Sequence, residues 1–412
     1  PEKYIHIDGK TFLEEYNWRM MPGSGPYMLK PEDLKKGQSM TITRRKDWWA
    51  EDKPLSKNTF NFAKIKFVPI RDRELEYEKF KAGDLDFFQV SRAQRWAEEI
   101  PKEKVVKQGW VQRRRIYNNS PEGFNGFVFN MRKKPFDDRR VRLAFCHLFN
   151  RELLMEKLFF NQYTLMDSYF PGRDWGNGAG NPQIRFDPAR AEELLWEAGY
   201  RERNEEGILI GPDKKPLELT LEYESPAWTR IWLVVLEAYE EAGIKINLKL
   251  IDRSTRVKKI GDRQFRLHYQ WWTGLLFPNP ETSWRSDLAD QKQNNNLPGF
   301  KNARVDELLT VYDRTFDRTE QKKITREIDS IIFNQHPYAL GWYANFKRIL
   351  YWDRFGHPPS YFTRIGDSAA KEIILTWWFD PEKEKRLDLA MEAGEALPQG
   401  AEDVRPWARP QK

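Results

Sequence analysis

Residues 217–250 carry the clearest local pattern in the chain, a strand followed by a helix and a second strand. Leu217–Tyr223 is predicted as the first strand, and Ala227–Ala242 is predicted as a helix that ends at Gly243. From Ile244 to Leu250 apolar residues alternate with polar ones, the period of a half-buried strand. A βαβ unit of this kind is typical of an α/β architecture.

The same order of elements recurs along the chain. The other predicted strands are Met40–Asp47, Lys64–Ile70, Leu85–Val90, Phe124–Asn130, Arg266–Trp271 and Tyr338–Tyr343. The other predicted helices are Arg73–Ala82, a segment after Asp138 that contains Val141 and Leu148, Ala189–Ala198, Ala303–Phe316 and Thr319–Gln335. Asp187 and Pro188 have the residue types preferred at a helix N-cap and first turn. The pattern therefore predicts an α/β chain with mixed sheets. Residues 381–412 contain few large apolar side chains and are predicted to form a solvated tail, a helix with a flexible end.

Composition narrows the class of protein. The formal net charge of +7 over 412 residues is weak support for a polyanionic partner. No apolar run approaches the roughly 18 residues that a membrane span needs. Seventeen tryptophans among 59 aromatic residues indicate an aromatic-rich core or a ligand-binding surface. The single cysteine, Cys146, excludes an intrachain disulfide and a cysteine-based metal site.

Motifs of catalysis and cofactor binding are missing from the sequence. There is no P-loop, HExxH, GxSxG or GxGxxG pattern, and the glycine-rich stretch at residues 176–180 follows no predicted strand. The five histidines are far apart and none forms a pair at metal-ligand spacing. We therefore expect no enzyme activity, no metal and no cofactor.

Adjacent tryptophans occur at Trp48-Trp49, Trp271-Trp272 and Trp377-Trp378. On a strand, two neighbouring side chains face opposite sides of the sheet, so one ring of each pair can pack in a core. Trp271-Trp272 is the exception that we favour as a ligand site. Thr273 and Gly274 follow it at the end of a predicted strand, where backbone can approach a ligand closely.

A series of short motifs resembles the extracellular solute-binding proteins of the peptide/opine/nickel ABC-importer family. These motifs are Gly23-Ser24-Gly25-Pro26-Tyr27, Arg44–Trp49, Gly83-Asp84-Leu85-Asp86, Gly126–Asn130, Lys134–Ala144, Asn150-Arg151-Glu152 and Asp187–Gly199. Three later blocks resemble the oligopeptide and microcin C branch: Phe277–Glu281, Tyr351–Gly356 and Thr376–Asp380. The resemblance covers roughly residues 1–380.

The resemblance implies a bilobed, class II periplasmic-binding-protein fold with an additional small domain. In that family the first motif lies well inside the chain, so we expect the N-terminal part of the first lobe and the small domain to be missing. Residues 1–118 are then expected to be the second part of the first lobe and residues 119–348 the second lobe. Residues 349–380 are expected to return to the first lobe, before the tail at 381–412.

The resemblance also implies a function: a non-catalytic, monomeric periplasmic receptor that traps an oligopeptide or peptide-like solute and delivers it to the permease subunits of an ABC transporter. We expect the signal peptide to be absent from this sequence. By position in that fold, the expected ligand contacts are Phe88, Gln89 and Ser91 from the first lobe and Asn125, Phe127, Trp271, Trp272, Thr273 and Gly274 from the second. One residue departs from the pattern, because peptide-binding relatives hold the ligand's α-ammonium with an Asp in W-x-x-D, where this chain has Leu275.

Two other classes stay open at this point. The tryptophan content also suits a carbohydrate-binding or carbohydrate-active protein with a Trp-lined cleft. The basic composition and the run Arg113-Arg114-Arg115 suit a nucleic-acid binder, although such a run is more simply explained as a solvated face. We expect no nucleic acid as a partner.

Overall fold

A computed structural model of the protein describes residues 23–407, so the two ends of the sequence, which belong to the predicted first and last segments, lie outside the described residues. The strands are β1 (Tyr27–Lys35), β2 (Ser39–Arg44), β3 (Lys64–Phe67), β4 (Phe87–Gln89), β5 (Val111–Tyr117), β6 (Asn125–Phe129), β7 (Thr164–Leu165), β8 (Glu202–Arg203), β9 (Leu209–Ile210), β10 (Glu218–Tyr223), β11 (Lys245–Leu250), β12 (Leu267–Trp271), β13 (Tyr338–Leu340), β14 (Trp342–Tyr343), β15 (Phe346–Trp352), β16 (Phe355–Gly356), β17 (Trp378–Phe379) and β18 (Asp403–Val404).

The α-helices are α1 (Arg73–Lys81), α2 (Lys104–Lys107), α3 (Arg139–Leu148), α4 (Arg151–Lys157), α5 (Pro188–Glu197), α6 (Thr229–Glu241), α7 (Arg253–Gly261), α8 (Glu281–Trp284), α9 (Ala303–Arg314), α10 (Arg318–Gln335), α11 (Ala369–Thr376) and α12 (Pro381–Ala393). Short 3₁₀ or π turns occupy Arg95–Glu99, Ile100–Lys102, Pro226–Trp228 and Ser286–Leu288.

The chain divides into two compact units. Unit 1 comprises the described parts of Pro1–Ser91, Arg95–Asn119 and Phe346–Lys412, and unit 2 comprises Arg92–Gln94 and Ser120–Asn345. The domain boundaries inferred from the resemblance stay predictions.

Unit 1 contains an antiparallel sheet in the order β1-β2-β3 and a four-stranded sheet in the order β18-β5-β15-β4. In the second sheet β15 runs antiparallel to β4 and β5, whereas β18 runs parallel to β5. One core lies around Trp96, Trp110 and Trp352, and a second lies around Tyr351 and Trp377.

Unit 2 is built around β6, which pairs antiparallel with β12 on one side and β13 on the other. Consecutive side chains of a strand point to opposite faces, and both faces of β6 are covered. Phe127 and Phe129 pack into a core with Trp232 and Tyr239, whereas Val128 packs into a second core with Trp284. This double burial explains why residues 127–129 of the strand are all apolar.

The predicted βαβ unit is confirmed, because β10 and β11 are parallel neighbours joined by α6. The helix start at Asp187 is also confirmed. Its side chain accepts a hydrogen bond from the Arg190 backbone N–H at 2.9 Å, with Pro188 in the first turn. Gly243, the predicted end of the helix in the βαβ unit, has φ of +84°, a conformation that favours glycine.

The helix predicted within residues 381–412 is confirmed by α12, but the described part of this segment packs into unit 1 and is not a solvated tail. Helix α12 buries Leu387 and Ala390 in the core around Trp110 and Trp352. Further along, β18 pairs with β5, and Glu402 accepts a hydrogen bond from the Trp96 indole at 3.0 Å. A few large apolar side chains are enough to dock this segment, because they lie on the one helix face that meets the core.

Candidate functional site

Phe127 and Phe88, two of the residues expected at the ligand, lie in hydrophobic cores. Phe127 is 1% exposed and packs edge-on against Phe149 and Tyr269, with ring centroids 5.0 Å apart in both pairs. Phe88, in unit 1, is 4% exposed and packs against Tyr77 at 5.3 Å. Neither ring is open to a ligand, so we leave both out of the proposed site. Both faces of β6 are covered, and in β4 Phe88 lies on the covered face. The apolar pattern of the sequence could not show which of these side chains would be open to a ligand.

Gln89 and Ser91 are exposed at the end of β4 in unit 1. They stay predictions.

Asn125 is buried, and both polar atoms of its amide are hydrogen-bonded within unit 2. Its Nδ2 donates to the Trp342 carbonyl oxygen at 2.7 Å, and its Oδ1 accepts from the Tyr269 hydroxyl at 2.7 Å. In the β6–β12 register Asn125 stands opposite Trp271. The geometry indicates that Asn125 holds strand ends together beneath the predicted site, since a buried amide satisfied by such bonds is costly to redirect.

Trp271 presents an indole at the surface. The residue is 39% exposed, and its ring lies 4.6 Å from that of Trp228 and 4.5 Å from that of Tyr269. Trp228, which sequence reasoning missed, is half-buried and stacks on the fully buried Trp232 with centroids 5.4 Å apart. We call the pair Trp228 and Trp271 the indole platform. Trp228 lies on the short turn before α6, a position at which no periodic pattern marks a facing residue.

Trp272 turns to the other side and is half-buried. Its backbone N–H donates to the Phe124 carbonyl at 2.8 Å, and its indole N–H donates to the Tyr338 hydroxyl at 3.2 Å. Burial raises the pKa of Tyr338, so the phenol stays protonated at neutral pH. The Trp272 ring packs toward Phe124, with centroids 6.2 Å apart.

Beside Trp272 lies a cavity of about 200 Å³ within unit 2. We call it the aromatic cavity. Its lining includes Phe124, Tyr169, Phe170, Trp175, Trp272, Thr273, Gly274, Leu275 and Trp284, together with the charged residues Glu122 and Arg173. The structure therefore brings three of the predicted residues, Trp272, Thr273 and Gly274, into one cavity.

Two glycines let the chain segments on one side of this cavity lie in backbone contact. A Cβ on Gly123 would lie 1.7 Å from the Trp272 carbonyl oxygen, and a Cβ on Gly274 would lie 2.4 Å from the Pro121 carbonyl oxygen. Real Cβ atoms do not come this close, so a side chain at either position would push the two segments apart. This contact places Glu122 beside Thr273 and Gly274, although the two segments are about 150 positions apart in the chain.

Glu122 and Arg173 carry the charges of the aromatic cavity. Arg173 donates from Nη2 to the Leu276 carbonyl at 3.4 Å, and its Nη1 is buried with no hydrogen-bond partner among residues 23–407. A buried N–H without a partner costs about 1–3 kcal/mol, which makes this guanidinium a candidate donor to a ligand. Sequence reasoning missed both residues, since Glu122 precedes β6 and Arg173 lies in a loop.

A metal site, a membrane span and a nucleic-acid surface find little support in the part of the chain that is described. It holds no cluster of three or more His, Cys, Asp or Glu side chains suited to a metal. None of its helices combines the length and apolarity of a bilayer span. The arginine run lies on β5, where Arg113 pairs with Glu402 and Arg115 with Asp403, both at 2.6 Å, so these two cations are engaged inside unit 1.

Comparison with known proteins gives a family match. The model of the family described as bacterial extracellular solute-binding proteins, family 5 Middle, matches residues 2–295. The probable peptide-binding protein YejA of Agrobacterium fabrum is 25% identical over 86% of this chain and 62% of its own length. The oligopeptide-binding protein AppA of Bacillus subtilis is 24% identical over 80% of this chain and 58% of its own length. The chain thus spans about three fifths of these curated relatives.

Solved structures share the fold. Bacillus subtilis AppA in complex with a nonapeptide has a TM-score of 0.73 at 20% identity, covering 92% of this chain and 71% of that one. A Thermotoga maritima oligopeptide-binding protein bound to mannohexaose has a TM-score of 0.70 at 18% identity, covering 89% and 70%. The predicted α/β fold of the periplasmic-binding-protein kind is confirmed.

Proposed function

The chain belongs to the bacterial extracellular solute-binding proteins of family 5, and from this premise we propose that it is part of a periplasmic, monomeric receptor that captures oligopeptides or peptide-like solutes for an ABC importer. The receptor delivers its ligand to the permease subunits and performs no chemistry on it. Relatives named as peptide-binding proteins support this choice of ligand.

The aromatic cavity is the observation that carries the proposal. It combines ring faces from Phe124, Trp175 and Trp272 with a strand end at Thr273 and Gly274. Extended peptides bind through main-chain groups, while aromatic walls accept side chains of many shapes. A site of this composition suits a receptor that accepts peptides of varied sequence.

The charged residues of the cavity match the ends of a peptide. We propose that Glu122 faces the ligand's ammonium group and so replaces the Asp that peptide-binding relatives have where this chain has Leu275. We propose that Arg173 faces a carboxylate of the ligand. Charge-assisted hydrogen bonds of these types are about twice as strong as neutral ones. Both termini of a short peptide would then find a partner in one unit.

A carbohydrate ligand is the second candidate. It is favoured by the indole platform, because exposed indole faces pack against sugar rings, and by the mannohexaose bound to the Thermotoga maritima relative. The two candidates differ in the groups they use, since a neutral sugar has no charge for Glu122 or Arg173 to meet.

Calorimetric titration separates the candidates. The protein, expressed from its complete coding region, is titrated with a mixture of tetrapeptides to nonapeptides and with mannohexaose. We expect binding of peptides, and weaker binding of peptides that are both acetylated and amidated. Binding of mannohexaose without any peptide binding would contradict the proposal.

A further inference from the structure

A second cavity in unit 2 lies between two strands whose neighbouring edges are not bonded to each other. Among the described residues β10 pairs with β11 and β12 pairs with β6, which leaves a gap of about 560 Å³ between β10 and β12, covered on one side by α7. Arg266 bridges the gap to β10, and Arg256 joins α7 to β12. Arg256 Nη2 donates to the Tyr269 carbonyl at 3.3 Å, and Arg266 Nη2 donates to the Glu218 carbonyl at 2.7 Å. We call this gap the basic cavity.

Positive charge dominates the lining of the basic cavity. Its ionisable groups, apart from a histidine, are Lys133, Glu222, Lys249, Arg256, Lys259 and Arg266. Five cations thus surround one carboxylate. This balance differs from that of the chain as a whole, which has 69 basic and 62 acidic residues.

Some of these cations are already neutralised. Arg256 pairs with Glu224 at 3.4 Å, just outside the cavity, and also contacts the Nε2 of His268 at 2.9 Å. Burial, followed by the charge of Arg256, lowers the pKa of His268 to about 3, so its ring adds no charge at neutral pH. Arg256 is therefore a structural bridge.

Glu222 is shared between Lys259, which bonds to it directly, and Lys249, whose Nζ lies 3.8 Å from it. One carboxylate cannot balance two ammonium groups. Glu222, Lys249 and Lys259 together therefore leave one positive charge unbalanced, before Lys133 and Arg266 are added.

Lys133 and Arg266 complete the surplus. Lys133 donates from Nζ to the Arg263 carbonyl at 2.9 Å, so the contact that positions it is a neutral acceptor. Burial, Arg132 and Arg266 together lower the pKa of Lys133, which is the expected effect of neighbouring positive charge. With Lys249, Lys259 and Glu222, these residues leave a local charge of about +3 by the ordinary ionisation of their side chains.

We propose that the basic cavity binds a phosphate-bearing anion, as a free phosphate or phosphomonoester or as a phospholipid headgroup. A group with two negative charges and several acceptor oxygens can engage Lys133, Arg266 and the Lys249–Lys259 pair together. The cavity is larger than a phosphate ion, so it has room for a group attached to it. The site shares no lining residue with the aromatic cavity and does not depend on the proposed transport function.

The test uses the double variant Lys133→Gln/Arg266→Gln in the whole protein, with Lys258→Gln as the matched control. Lys258 is the neighbour of Lys259 on α7 but lies outside the lining of the basic cavity. Inorganic phosphate is titrated by calorimetry at constant ionic strength set with chloride. We expect a saturable phosphate signal in the parent and the control, with affinity at least tenfold weaker in the double variant.

Two further arms identify the source of the phosphate. Flotation with vesicles of phosphatidylglycerol and phosphatidylcholine tests a headgroup, and glycerol 3-phosphate tests a small phosphomonoester. Binding of either that is lost in the double variant supports the proposal. The proposal is overturned if no phosphate probe binds saturably, or if the double variant binds as well as the parent. Polyglutamate is titrated as an anion without phosphate, and binding of polyglutamate but of no phosphate probe would also overturn the proposal. Circular dichroism confirms that the variants are folded, and Lys259→Gln serves as the second probe if the double variant is not.

Discussion

The indole N–H of Trp272 donates a hydrogen bond to the hydroxyl of Tyr338, 3.2 Å away, which ties the predicted ligand-site tryptophan to a buried residue of β13. One residue thus serves the core and the aromatic cavity at once.

Trp272→Ala is expected to lower the free energy of unfolding by about 3 kcal/mol, the usual scale for truncating a packed aromatic ring. Trp272→Phe keeps a ring but removes the donor to Tyr338, and is expected to cost about 1 kcal/mol. Urea denaturation measures both. If Trp272→Ala leaves stability unchanged, the residue is not held by the core as described.

The indole platform lies outside the lining of the aromatic cavity, and we propose it as an additional ligand contact. Trp271→Ala is then expected to weaken peptide binding by about 1–3 kcal/mol, the scale of a well-packed interface aromatic, with stability changed by less than about 1 kcal/mol. The matched control is Trp196→Ala on α5, whose ring is 55% exposed and is approached by Arg201. Calorimetry and urea denaturation on the same samples give both values. Equal effects of the two substitutions on affinity would remove the indole platform from the site.

Glu122→Gln is expected to weaken binding of peptides with a free N-terminus about tenfold, because a charge-assisted hydrogen bond contributes about 1.5–3 kcal/mol and the amide retains part of it. Binding of N-acetylated peptides is expected to stay unchanged. Glu205→Gln, at an exposed position of unit 2, is the control. A uniform loss for free and acetylated peptides would assign Glu122 a structural role instead.

The burial of His268 is expected to make the protein less stable as the pH is lowered. Burial first, and then the charge of Arg256, lowers its pKa to about 3 in the folded protein, below the value of about 6.5 in an unfolded chain. Between these values the unfolded chain binds the extra proton, so stability falls as pH decreases, with a slope approaching about 1.4 kcal/mol per pH unit. His268→Gln retains an acceptor for Arg256 and is expected to flatten this slope. Urea denaturation between pH 4.5 and 7.5 measures the difference, and an unchanged slope in the variant counts against the buried neutral ring.

Leu387→Ala is expected to destabilise unit 1 by about 2–5 kcal/mol, since the side chain is fully buried. Leu389, two positions further along α12, is 57% exposed, and Leu389→Ala is expected to change stability by less than about 0.5 kcal/mol. Urea denaturation of the two variants tests whether α12 is docked. Similar small effects would restore the solvated tail predicted from the sequence.

Local order was predictable where the signal is itself local. The βαβ unit at residues 217–250 and the capped start of α5 depend on periodicity, on an Asp-Pro pair and on a glycine stop, all within a few residues of one another. Membership of the family was predictable for a related reason, because its motifs occur in a readable order along the chain.

Which side chains are buried could not be predicted from such local patterns. Leu387 and Leu389 have the same side chain, and only the position of Trp110 and Trp352, far away in the chain, makes the first a core residue. Phe127 was expected at the ligand, yet the core around Trp232 covers its ring. Glu122 reaches the aromatic cavity because Gly123 and Gly274 allow two distant backbone segments to touch. Local patterns were enough to predict the βαβ unit, the capped start of α5 and the family, but strands such as β5 and β15 were not predicted. These strands, the burial of side chains and the assembly of the site depend on packing between segments that are distant in the chain, which only the folded structure shows.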